Sequence, residues 1–267
     1  MIALAFLALF LILWGIVSAA LTPLRHAVSF AANRTARFRY RDYLPVATLV
    51  VIGGIVALWA GEEFLDLAEA VHAKNATLQH VDTLVHDWAV AERSSGATPF
   101  FVTMSFIGSP AVLACVLVLV AAVLLVKKRY RWLIYLAGTT GLGSLLNMTL
   151  KAFFARARPD LAAQLRHAHG YSFPSGHAMG STIVVGALTY LVFRVLTQWR
   201  WKSLALAMGV TLIFAISSSR IYLGVHWISD VGAGITAGFI WVIATTVAYE
   251  TSRRIRLIRA LRKQAQS

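Results

Sequence analysis

The chain has 267 residues, 58% of them hydrophobic and only 13% charged, with a mean hydropathy of +0.70. Soluble domains carry about 25% charged residues, so this composition excludes an ordinary soluble protein and points to a membrane one. The formal net charge of +14 would suit a nucleic-acid binder, but only if the bases formed one patch.

A helix needs roughly 20 apolar residues to cross ~30 Å of hydrocarbon. Runs of that kind occupy 1–20, 45–60, 99–126, 132–154, 176–196, 203–221 and 229–249, which predicts seven spans with a short second one. The first run has no basic region before it, and cleavage near Val17–Ala20 would leave Arg25, Arg34, Arg37, Arg39 and Arg41 outside; it reads as an uncleaved helix. Segment 61–98 carries Phe64, Leu67, Ala68 and Val71, then Leu78, Val81, Leu84, Val85 and Trp88 at helical spacing, which predicts one or two amphipathic helices lying on the membrane surface. His72, His80 and His86 are too irregularly placed for a metal site and read as a solvated helix face. Cys115, inside the third span, reads as a packing residue. Trp132, Trp199, Trp201 and Trp227 fall at span ends and read as interfacial anchors.

The bases are not one patch. Of 25 Lys and Arg, 18 lie in four segments that alternate with the others: 21–44, 127–131, 194–202 and the tail. The intervening segments hold nine of the eleven acids. This is the asymmetry of a chain whose bases stay cytoplasmic. It places the C-terminal tail inside, the N-terminus outside, and 61–98, 155–175 and 222–228 on the outer side. No nucleic-acid partner is expected; the bases act as topology signals beside anionic headgroups.

Ionisable residues at membrane depth are costly and mark function by default. Three clusters sit at predicted outer span ends. The first is Lys151, six residues, then Arg158-Pro159; two helical turns separate the cations, so they share a face if the helix persists to the proline. The second is Ser172-Phe173-Pro174-Ser175-Gly176-His177, a bend leading into the free backbone N–H groups of a helix start, which favour anions. The third is Ser219-Arg220, five residues, His226, three residues, Asp230; the four-residue step lets the carboxylate hold one ring nitrogen and leave the other free. Taken singly, each cluster has an ordinary explanation. Together, three cations, two histidines, a carboxylate and a hydroxyl on one side of the membrane make a phosphate site.

In order and spacing these clusters resemble the signature of the type 2 phosphatidic acid phosphatase superfamily, which includes membrane lipid phosphate phosphatases and vanadium haloperoxidases. Lys151-x6-Arg158-Pro159, Pro174-Ser175-Gly176-His177 and Ser219-Arg220-x5-His226-x3-Asp230 match it at every signature position. The resemblance implies an all-α integral membrane protein. Its six-helix core would occupy 45–249, following an extra N-terminal helix and basic segment (1–44) and preceding a basic tail (250–267). It also implies roles: His226 as nucleophile, Asp230 as its orienting partner and His177 as the acid for the leaving group. Lys151, Arg158, Ser175, Gly176 through its backbone N–H, and Arg220 would hold phosphoryl oxygens. No metal or other cofactor is implied.

The expected substrate is a lipid phosphate at the outer face of a bacterial inner membrane, with undecaprenyl diphosphate as the first choice. Phosphatidate, phosphatidylglycerol phosphate and a lipid A phosphate are alternatives. Halide oxidation with vanadate belongs to soluble relatives, and a transporter or scramblase would need repeats or charges at mid-depth that the spans lack. Gly234, Gly238, Gly138, Gly141 and Gly143 read as close-packing positions between helices. Arg156, Arg166, His167 and His169 are weaker candidates for contact with the substrate headgroup, and Asp160 is expected to pair with a nearby base.

Overall fold

The computed structural model describes Ile12 and residues 44–264, and every regular element among them is helical. The first predicted span and the basic stretch after it lie outside the described residues, Ile12 excepted. The helices are α1 (Leu44–His72), α2 (Ala76–Ala91), α3 (Thr98–Ile107), α4 (Pro110–Val126), α5 (Tyr130–Phe154), α6 (Gly176–Val195), α7 (Trp199–Tyr222) and α8 (Ile228–Gln264). By length and composition α5, α6, α7 and α8 are each able to cross a membrane, and the bent pair α3–α4 makes a fifth if it is one span.

The predicted spans differ from the observed helices in three places. The short second span is the start of the 29-residue α1, which runs on through the first third of the segment expected to lie on the surface. Its first half turns Val51, Ile55, Leu58 and Trp59 outward, as a lipid-facing helix does. The single third span is two helices meeting at 48°. Pro110 has no N–H to continue a helix, Ser109 caps the new one by accepting from the Val112 N–H at 3.4 Å, and a side chain at Gly108 would strike Ile216 at 2.2 Å. The basic tail is no separate segment, because α8 continues unbroken for 37 residues. At 1.5 Å per residue that is ~55 Å, well beyond the hydrocarbon thickness, so its basic end projects past the membrane.

α8 is the centre of the bundle, packed along both α1 and α6. Gly234 and Gly238 permit the approach to α6: a Cβ at Gly234 would lie 2.8 Å from the Ser175 carbonyl, and one at Gly238 2.8 Å from Thr182. Gly143 is equally tight, against Ile183 and Trp241, whereas Gly138 and Gly141 face open space and close no interface. Cys115 is exposed rather than packed into the core.

α2 inverts the expected amphipathic helix. It buries Asp82, His86 and Ala89 against the bundle and turns Val81, Leu84 and Trp88 outward. Its apolar stripe is therefore the outer face, and its polar stripe is the one that meets the protein.

Candidate active site

At one end of the bundle the starts of α6 and α8 meet the ends of α5 and α7. α5 stops at Phe154, where Ala155 adopts a left-handed conformation (φ 45°) and its N–H closes on the Lys151 carbonyl. Lys151 and Arg158 consequently do not share a helix face, because the helix ends before Pro159 and Arg158 arrives on an irregular strand of chain. Lys151 Nζ donates to the Tyr171 carbonyl at 2.8 Å. Arg158 donates to the carbonyls of Gly170 (2.9 Å) and Val225 (2.8 Å), and its Nη1 lies 3.1 Å from His226 Nε2. Two cations expected from spacing alone thus converge on the 169–172 loop and on the third cluster.

After α7 the chain reverses through Leu223 and Gly224. Gly224 has φ +73°, and a side chain there would meet the Ala163 carbonyl at 2.7 Å, so the turn requires glycine. The turn delivers His226, 2% exposed, against Asp230, fully buried in the first turn of α8. His226 Nδ1 is 3.3 Å from Asp230 Oδ2, which also accepts from the Trp227 N–H at 3.0 Å. A guanidinium only donates, so Arg158 makes His226 Nε2 the acceptor and leaves Nδ1–H for Asp230. The ring's lone pair then lies on Nε2, where it accepts from Arg158. Burial pushes the His226 pKa down to about 4, only partly offset by the hydrogen bond its Nδ1–H donates to Asp230, and the ring is neutral at pH 7.

Ser175 is the N-cap of α6, and its N–H donates to the Asp230 carbonyl at 2.9 Å, locking the second cluster to the third. Its hydroxyl is buried with no partner. Arg220, 6% exposed at the end of α7, gives one nitrogen to Ser105 Oγ while its Nε is buried and unpaired. Buried donors left unsatisfied are costly, and an anion lying among them would satisfy them. Gly176 lies against Lys151, where a Cβ would come within 3.5 Å of Lys151 Cε. His177 follows in the first turn of α6. Among the described residues no three His, Cys, Asp or Glu side chains are grouped to hold a metal ion.

Behind this site lies a charge network that sequence reading missed. Arg156 donates to Asp230 Oδ1 at 2.7 Å and to Asp82 Oδ2 at 2.6 Å, joining α2 to the His226–Asp230 pair. Ser229 closes the ring, its N–H reaching Asp82 Oδ1 at 3.1 Å and its hydroxyl reaching Oδ2 at 2.7 Å. Arg156, considered from the sequence only as a headgroup contact, is a partly buried bridge between two carboxylates. Trp227, expected as an anchor, instead donates Nε1–H to the Ala157 carbonyl and packs between Arg156 and the ring of His86. His86 is buried, not solvated. Asp160 caps a short 3-10 turn (Leu161–Ala163) through the Ala162 N–H rather than pairing with a base. One signal for Asp82 was present in the sequence, the spacing of Asp82, His86 and Ala89 on one helix stripe, but apolar periodicity pointed to the opposite stripe.

A family model described as the PAP2 superfamily matches residues 132–254, which contain all three clusters but not Asp82. Phosphatidylglycerophosphatase B of Bacillus subtilis (strain 168) is 29% identical over 195 residues, covering 72% of this chain and 94% of that protein. Undecaprenyl-diphosphatase of Sulfolobus acidocaldarius is 36% identical over 93 residues, 35% of this chain and 40% of that protein. Among solved structures, a transmembrane PAP2-type phosphatidylglycerolphosphate phosphatase from Bacillus subtilis superposes with a TM-score of 0.67 at 26% identity, covering 71% of this chain and 94% of the other.

Proposed function

Starting from the chain's membership of the PAP2 superfamily of phosphatases, we propose that this lipid phosphatase hydrolyses its substrate through a phosphohistidine on His226, without a metal, at the outer face of the membrane. The observation that carries this reading is the pairing of a neutral His226, its Nε2 lone pair aimed at Arg158, with the unsatisfied donors of Ser175 and Arg220. Nε2 attacks phosphorus, the bond to the leaving oxygen breaks, and His177 donates the proton that oxygen needs. Asp230, accepting from Nδ1–H, stabilises the positive ring as the N–P bond forms. Water then attacks the phosphohistidine, giving a proton back to His177, and phosphate leaves with the Nε2 lone pair restored on the ring. Lys151, Arg158, Arg220, the Ser175 hydroxyl and the Gly176 N–H balance the charge that spreads over the phosphoryl oxygens.

The substrate proposed first is undecaprenyl diphosphate, as the compact chain and the site at span ends suggest, with the C-terminus of α8 cytoplasmic, a reading that the distribution of bases supports. Phosphatidylglycerol phosphate is the second reading, favoured by a relative of that named activity matched over 94% of its length. Phosphate release by the purified protein in detergent with EDTA, over a panel of polyprenyl, glycerol and lipid A phosphates, ranks these. A His226→Ala protein that keeps the wild-type rate would overturn the mechanism, and brisk release from phosphatidylglycerol phosphate with none from the polyprenyl lipid would overturn the first substrate.

A further inference from the structure

At the end of the bundle opposite the candidate active site, the turn between α4 and α5, the end of α6 and the projecting part of α8 enclose a cavity of about 640 Å³. Six bases line it: Lys128, Arg129, Arg131, Arg194, Arg253 and Arg256. Among the described residues the only carboxylate in ion-pair contact with any of them is Glu250, which takes Arg194 and Arg253. Lys128, Arg129, Arg131 and Arg256 are exposed and have no such partner. Topology signals account for bases near a membrane, but not for their convergence from three separate elements on one hollow. The hollow is built in part by backbone geometry, since Lys128 adopts φ 53° to turn the chain from α4 into α5.

The rim is apolar. Trp132 and Tyr249 line the cavity, Arg129 lies over the Trp132 ring at 5.7 Å, and Val126, Tyr130 and Leu257 expose 80%, 55% and 53% of their surface beside the bases. A free anion would use the bases and leave that rim in water. A ligand with a charged head and hydrocarbon chains uses both. We propose that this cavity binds the headgroup of an anionic phospholipid from the leaflet opposite the catalytic end, with Lys128, Arg131 and Arg256 as its charge contacts.

The probe is short-chain phosphatidylglycerol, titrated below its micellar concentration into the purified full-length protein while the thermal midpoint is followed. Phosphatidylcholine of the same chain length and inorganic phosphate serve as parallel titrants. The wild type is expected to show a saturable rise with phosphatidylglycerol and none with phosphatidylcholine. Each base removed should weaken half-saturation about fivefold. The combined Lys128→Gln, Arg131→Gln, Arg256→Gln protein should then require about 100-fold more lipid. Binding at the catalytic end is common to both proteins and cancels in the comparison. If the triple variant is not monodisperse or its unliganded midpoint falls, Arg256→Gln alone, on the exposed face of α8, carries the test with its fivefold shift. Equal half-saturation in wild type and variant overturns the site. A midpoint rise with inorganic phosphate that matches the lipid's and is lost in the variant overturns the lipid as occupant.

Discussion

α8 carries two buried carboxylates held by arginine, Asp230 in its first turn and Glu250 twenty residues on, roughly 30 Å apart along the helix axis. Asp230 is held by Arg156 and turns its other oxygen to His226; Glu250 is held by Arg194, Arg253, Arg254 and the Tyr190 hydroxyl. At the Glu250 end the carboxylate faces only cations and a phenol, and its neighbouring bases are open to the surroundings. At the Asp230 end the carboxylate orients a neutral imidazole, and the buried donors of Arg220 and Ser175 lack partners. Both ends gather cations, yet among the described residues only the Asp230 end sets a buried imidazole beside such donors, an arrangement of the kind transition-state stabilisation requires.

The largest break in this contrast should come from His226→Ala, which removes the proposed nucleophile and should lower kcat by about 10⁴-fold or more, as deletions in other nucleophile–base units do. Rapid acid-free quenching with labelled phosphate should find protein-bound phosphate in the wild type and none in the variant. Arg220→Gln should cost about 10²- to 10³-fold in kcat, the size measured for a lost anion-stabilising donor, in steady-state phosphate release. Asp82→Asn sharpens the comparison because Asp82 touches no reacting atom. With Arg156 less firmly held, Asp230 should orient His226 less well, so kcat should fall about tenfold with KM nearly unchanged, a loss of about 1.4 kcal/mol. An equal change in KM alone would mean the network shapes the binding surface instead.

The pH profile tests the neutrality of His226. Its pKa in the folded protein lies near 4, below the ordinary 6.5. The acid limb of kcat/KM governed by this ring should therefore fall well under pH 6.5, toward 4, and a limb at 6.5 would show that burial does not govern it. The linkage has a definite sign. The unfolded chain takes up a proton near pH 6.5 that the folded ring refuses, so stability from this residue is full above 6.5 and is lost as pH falls from 6.5 toward 4. The smallest catalytic effect should come from Glu250→Gln, which should leave turnover within about twofold while lowering stability by about 1 kcal/mol, read by thermal unfolding, because the three arginines that lose their carboxylate are themselves partly solvated.

Much of the candidate site was legible in the sequence because its residues fall in short local patterns. A His and an Asp four apart at a helix start meet whatever the rest of the chain does, and Pro-Ser-Gly before an apolar run is a helix start in most settings. The membrane class was equally plain, since span-length apolar runs leave few other folds open. What escaped is contact between distant segments. The close approach of Gly108 to Ile216 on α7 is of this kind, and the early stop of α5 at a left-handed Ala155 that no pattern marks escaped as well.

Composition and spacing by themselves determined an all-helical membrane protein and the triplet of motifs, because hydrophobic run length and four-residue steps are properties of a single chain segment. Only the tertiary structure decided that Asp82, on a helix that reads as lying on the membrane, reaches Asp230 through Arg156, and that α2 presents its polar stripe inward. The reason is physical: a buried carboxylate is tolerable only where a cation from elsewhere meets it. That meeting depends on how α2, the segment after α5 and the start of α8 come together, which local sequence does not encode.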